Sequence, residues 1–117
     1  MTIVVFDLEA TCWRSDPPAE HETIEFGAVA FEPGRGVLGD HQGFVRPRLQ
    51  PVLSRFCTEL TKIGQEQVET APAFPEALGA FERFASRHAP FVLASWGDFM
   101  RGSDSAFPIG SLPRGAS

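Results

Sequence analysis

A chain of 117 residues suffices for one small domain with a real core and leaves no room for a second. Its 15 acidic side chains outnumber 10 basic ones, and a net charge of −5 argues against an extended surface that grips nucleic acid without regard to sequence. The two cysteines, Cys12 and Cys57, are too few for a disulfide framework and lack metal-site spacing, and no stretch approaches the ~20 apolar residues of a membrane-spanning helix.

The apolar start lacks a basic leader and runs straight into acidic residues, which argues against a secretory signal. With both thiols read as reduced, a cytoplasmic protein is the expectation. Residues 3–8 form an apolar run rich in β-branched side chains, the pattern of a strand buried on both faces. Residues 14–20, with Ser, Asp and a Pro-Pro pair, form a loop. Strands are predicted over 23–31 and 37–45, joined by a turn at Pro33-Gly34-Arg35-Gly36, so the first three strands make an antiparallel meander.

Composition changes after Pro47. Ser54 is placed to cap a short helix over 55–61, and a second short helix spans 65–69. A longer helix opens between Pro72 and Pro75 and runs to about His88, with Phe74, Leu78, Phe81 and Phe84 on one buried face. Pro90 ends it, and residues 91–95 form a strand parallel to the first, reached by the helical crossover. From Met100 the chain turns Gly-, Ser- and Pro-rich without helical or strand period, and 100–117 is expected to be a disordered tail.

The first strand ends in Asp7-Leu8-Glu9. Side chains two apart on a strand share a face, roughly 6–7 Å apart at about 3.3 Å per residue. Two such carboxylates repel unless a cation lies between them, and hard divalent metals are the natural partners. Two metals would activate water and stabilise the leaving oxygen of a phosphodiester. An isolated Asp-x-Glu is more often a solvated strand end, so the weight falls on the surroundings.

Phe6-Asp7-Leu8-Glu9-Ala10-Thr11-Cys12-Trp13, followed by Glu22-Thr23-Ile24-Glu25-Phe26-Gly27-Ala28-Val29, resembles the first motif and second strand of the DEDD (DEDDh) 3′–5′ exonucleases. The likeness is to the branch holding the histone-mRNA and small-RNA exonucleases and the KapD-like proteins. Phe44-Val45-Arg46-Pro47, the run from Pro51 to Thr61, Gln65, the run from Ala71 to Leu78, and Ser95-Trp96-Gly97-Asp98-Phe99 continue it in order. The resemblance implies an α/β, RNase H-like mixed sheet and two-metal hydrolysis, with Mg²⁺ or Mn²⁺, at the 3′ end of RNA or single-stranded DNA. Carried over by position, Asp7 and Glu9 are catalytic metal ligands, and Ala10 and Thr11 lie where the backbone meets the terminal nucleotide. Trp13 is a candidate base contact, although burial is the commoner fate of a Trp. Glu25 is expected to support the site or cap a backbone group.

The resemblance stops short of a full site. Its second-motif Asp falls at Met100, and Asp98, two residues early, is the candidate in its place. The third motif, a general-base His followed five residues later by Asp, is missing: that spacing leads from His21 to Phe26, from His41 to Arg46 and from His88 to Leu93. The three histidines read instead as loop, turn and helix-end residues. Residues 1–99 are therefore taken as a C-terminally incomplete exonuclease domain, the break at Met100 being that of a truncation, frameshift or gene-model error. Loss of the helix that should follow strand 91–95 would bare apolar surface and favour low stability or self-association. A non-catalytic remnant that binds nucleic acid or a partner is the alternative. A haloacid-dehalogenase-like phosphatase, suggested by Val-Val-Phe-Asp-Leu-Glu-Ala-Thr, is a more distant one, because Lys62 is the only lysine and the distal acidic pair is wanting.

Overall fold

The computed structural model describes residues 1–95; Asp98 and the 100–117 segment lie outside them. Strand β1 (Thr2–Ala10) is flanked by β2 (Thr23–Glu32) on one side and β4 (Phe91–Ser95) on the other, and β3 (Gly36–Phe44) completes the order β3-β2-β1-β4. β1, β2 and β3 run antiparallel, and β4 runs parallel to β1. The crossover from β3 to β4 holds α1 (Arg55–Thr61), α2 (Gln65–Glu69) and α3 (Phe74–Ser86). A meander with one parallel strand behind a helical crossover is what the turn and helix signals required.

Local chemistry sets the ends. Ser54 caps α1, its Oγ accepting from Cys57 N–H at 3.0 Å and donating to the Cys12 carbonyl at 2.7 Å, so one hydroxyl starts the helix and ties it to the end of β1. Lys62 closes that helix in the left-handed region at φ 65°. Pro75 sits in the first turn of α3, where no backbone N–H is needed.

The core lies on one face of the sheet. Val4, Phe6, Leu8, Phe26, Ala28 and Ala30 meet Ala77, Phe81, Phe84 and Ala85 of α3, with Phe74 and Leu78 packed alongside. Phe81 stacks on Phe26 at 5.4 Å and tilts against Phe6 at 5.9 Å. Burying a side chain of this size contributes about 1.5–3 kcal/mol. A second cluster of Ile24, Leu53, Cys57, Ile63 and Val68 seats α1 and α2.

Two expectations are corrected. β1 is buried on one face only: Val4, Phe6 and Leu8 are covered, while Ile3 and Val5 are half-buried and Asp7 is exposed. The apolar run is real, but among the described residues the helices pack only on the Phe6 side. His41 is no turn residue either. It lies within β3 with its ring stacked on Phe84 at 5.4 Å and edge-on to Phe81 at 6.0 Å, and its buried Nε2 has no hydrogen-bond partner among the described residues. Strand alternation turns it toward α3, where an aromatic ring suits the apolar seam.

Candidate active site

The other face of the sheet, left open among the described residues, carries the carboxylates. Asp7 stands opposite Gly27, and Glu9 stands opposite Glu25, whose carboxylate accepts from Gln42 Nε2 at 2.6 Å. Alternation thus brings Asp7, Glu9 and Glu25 to one end of one face. Below them a groove of about 360 Å³ is lined by Val5, Phe6, Asp7, Gly27, Ala28, Val29 and Phe31. Burial pushes the Asp7 carboxyl above its ordinary value, against a backbone hydrogen bond from Leu8 that lowers it. Glu9 is raised as well, first by burial and then by the negative charges of Asp7 and Glu25. Both carboxylates therefore bear their charge at a cost, Asp7 through burial and Glu9 through burial and its charged neighbours.

Hard oxygen donors whose charge is disfavoured by burial, and at Glu9 by neighbouring charge as well, suit a divalent cation. Asp7 and Glu9 supply part of such a shell. Among the described residues no group of three or more His, Cys, Asp or Glu stands close enough together to hold a metal ion. Asp98, the further sequence candidate, lies outside the described residues.

The exit of β1 is tied down tightly. Thr11 is 2% exposed; its N–H donates to the Glu22 carbonyl and its Oγ1 accepts from Glu22 N–H, both at 2.8 Å. His21 Nδ1 donates to the Thr11 carbonyl at 2.5 Å. Ala10 is half-buried, its carbonyl 3.7 Å from Cys57 Sγ. Trp13 is half-buried, with its ring 5.5 Å from that of His21, and is neither the buried Trp of base expectation nor a free surface ring. The Arg14 guanidinium lies 5.1 Å above the Phe56 ring of α1. Cys12 and Cys57 are free thiols, and that of Cys12 is pushed up to about 12 by burial, by hydrogen bonding to Cys57, by the charge of Cys57 and by that of Glu9. Glu22 and Gln42 are the residues that motif reading passed over, since each acts on groups distant in sequence and leaves no local pattern.

A mixed sheet with paired carboxylates at the end of an inner strand is the arrangement of fold and site that the sequence resemblance implied. The exonuclease family model (RNase_T) matches residues 4–95, and the chain belongs to this family, in its DEDDh 3′–5′ branch. It is 41% identical over 83 residues to ERI1 exoribonuclease 2 of Danio rerio, covering 70% of this chain and 15% of that protein. It is 42% identical over 78 residues to 3′-5′ exoribonuclease 1 of Homo sapiens, covering 65% and 22% respectively. Among solved structures, the 3′-exonuclease described in 3′-end-specific recognition of a histone mRNA stem-loop superposes at a TM-score of 0.76 with 32% identity, covering 84% of this chain and 36% of that one. The nuclease domain of 3′hExo, a DEDDh family member bound to rAMP, gives 0.76 and 29%, covering 97% and 61%. The chain thus spans under a quarter of the length of these two curated relatives. The RNase H-like fold stands as expected. The dehalogenase-like alternative falls with the family match and with the antiparallel β1–β2 pairing.

Proposed function

We propose that this chain provides the first carboxylates of a 3′–5′ exonuclease that hydrolyses RNA or single-stranded DNA from the 3′ end. The observation carrying this reading is the placement of Asp7 and Glu9 on one open face at the end of β1, both with carboxyl groups lifted by burial. Asp7 and Glu9 would hold the cation. When bound, Mg²⁺ or Mn²⁺ supplies activated water and offsets charge developing on the phosphodiester. Ala10 and Thr11 form the backbone edge beside that point, and half-buried Trp13 is a candidate contact for a base. The similar solved structures, one concerned with recognition of a histone mRNA stem-loop and one bound to rAMP, support a nucleic-acid substrate. Free Cys12 and Cys57 suit the reducing cytoplasm, where we place the protein. The open sheet face further suits self-association.

The test is digestion of a 5′-labelled single-stranded RNA with Mg²⁺ or Mn²⁺ beside an Asp7→Asn control. Stepwise 3′ shortening that disappears in the control is the expected result. A folded wild-type chain that retains RNA without shortening it would make it a binding module, and one that does neither would sink the reading.

A further inference from the structure

Glu22 lies one residue before β2, between the two loops that frame the carboxylate end of the sheet. One carboxylate oxygen accepts from Arg48 N–H at 2.8 Å, and the other accepts from Leu49 N–H at 2.7 Å and Gln50 N–H at 3.4 Å. Three consecutive peptide N–H groups turned toward one anion form a nest, and its bonds are charge-assisted. The peptide of the same residue is locked to Thr11 on both sides, through the two 2.8 Å bonds described above. Thr11 directly follows the point, between Glu9 and Ala10, where β1 and β2 slip register. A register slip of this kind re-aims the neighbouring side chains, and only bonds around it fix the new direction.

Glu22 therefore joins three pieces of chain: the exit of β1, the start of β2 and the connector into α1. The loops it holds carry Trp13, Arg14 and Arg48, an aromatic and two cations of the kinds that meet bases and phosphates. Nothing else about Glu22 demands a carboxylate at this position. It is half-buried and makes no ion pair among the described residues.

We propose that Glu22 is a positioning residue for nucleic-acid binding, fixing through Thr11 and the 48–50 backbone the rim on which a single-stranded 3′ end is seated. The inference rests on the nuclease reading above and names one residue that serves it. The carboxylate contributes no contact to the strand itself.

The test pairs two measurements on the full chain. Anisotropy of a 5′-fluorescein single-stranded RNA, with Ca²⁺ in place of Mg²⁺ so that the strand stays intact, gives the Kd. Amide exchange gives the mobility of Thr11, Arg48 and Leu49 beside that of Phe6 and Phe26 in the core. Glu22→Gln is expected to weaken binding ~10-fold, the lower end of what supporting residues commonly cost. It should speed exchange at the three rim amides and leave the core amides unchanged. Glu22→Asp, which keeps the charge with a shorter reach, is expected to recover part of both. Should Glu22→Gln fail to fold, Thr11→Val breaks the lock from its other side while sparing the carboxylate, and the same loss of affinity is expected. Faster rim exchange with unchanged affinity would overturn the inference alone, leaving Glu22 a structural staple. A folded wild-type chain that does not bind the RNA would overturn the nuclease reading and this inference together.

Discussion

Asp7 and Glu9 show how the proposed site would be built at the expense of the fold that holds it. Each carboxyl titrates higher in the folded chain than in the unfolded one. The folded state therefore keeps its protons longer, and stability declines as pH rises from the ordinary carboxylate range through the raised values. Above that window the penalty is complete. Asp7→Asn is accordingly expected to raise the thermal midpoint of the metal-free protein at neutral pH by a few degrees and, under the proposed function, to abolish cleavage. The gain should shrink as pH falls toward 4, and scanning calorimetry across pH measures it. Millimolar Mg²⁺ should raise the midpoint of the wild type and leave that of the variant unmoved. A variant less stable than the wild type at pH 7 would contradict the burial argument. These two residues were legible in the sequence because Asp-x-Glu closes an apolar strand within a longer run of matching motifs. Glu22 was not, because its partners, Thr11 and the 48–50 backbone, are set by the fold.

The helices answered to local signals and the sheet to distant ones. α1, α2 and β4 begin and end where Ser54, the 65–69 run and Pro90 place them, since caps and breakers act within a few residues. The Ser54 cap supports a direct prediction. Ser54→Ala removes the acceptor for Cys57 N–H and the donor to the Cys12 carbonyl, and urea unfolding should show a loss of about 1–2 kcal/mol. An unchanged midpoint would mean that water replaces both bonds. Burial of β1 and the setting of His41 were misjudged because apolar runs and lone histidines do not say which face meets a helix. The β3–α3 seam has a consequence for acid stability. Burial first, and Arg87 second, hold the His41 imidazole below its ordinary value, with Asp40 opposing. Gly39, on the same strand, leaves room for His88, which also packs on Phe84 at 5.1 Å. A base whose folded value is depressed is protonated first in the unfolded chain, so its effect on stability is felt as pH falls through about 6.5. Wild-type stability should therefore drop more steeply between pH 7 and 5 than that of His41→Leu, measured by urea midpoints. Parallel pH profiles would remove His41 from the account.

At the scale of the whole molecule, the described residues form a sheet clothed by helices on one side. The described residues leave Val29 39% exposed and Val92 45% exposed on the open face, beside half-buried Ile3, Val5 and Phe31 and the groove they border. Adjacent apolar side chains left uncovered among the described residues are the kind of patch that favours association, and we propose a second copy of the chain as its occupant. The carboxylates gather at one end of the face, so two copies can bring their apolar halves together while keeping Asp7, Glu9 and Glu25 in solvent. Isologous contact of this kind is the commonest route to a dimer. The prediction is concentration-dependent association of the wild-type chain in sedimentation velocity, undiminished by added salt because apolar burial rather than charge drives it. Val29→Lys, in the middle of the face, should shift the chain toward monomer without lowering its unfolding midpoint, since that side chain contributes little to the Phe6 core. Association abolished by salt would point to an ionic contact elsewhere. A wild type that stays monomeric at every concentration, with a sharp unfolding transition, would show that the face is not available to a second copy.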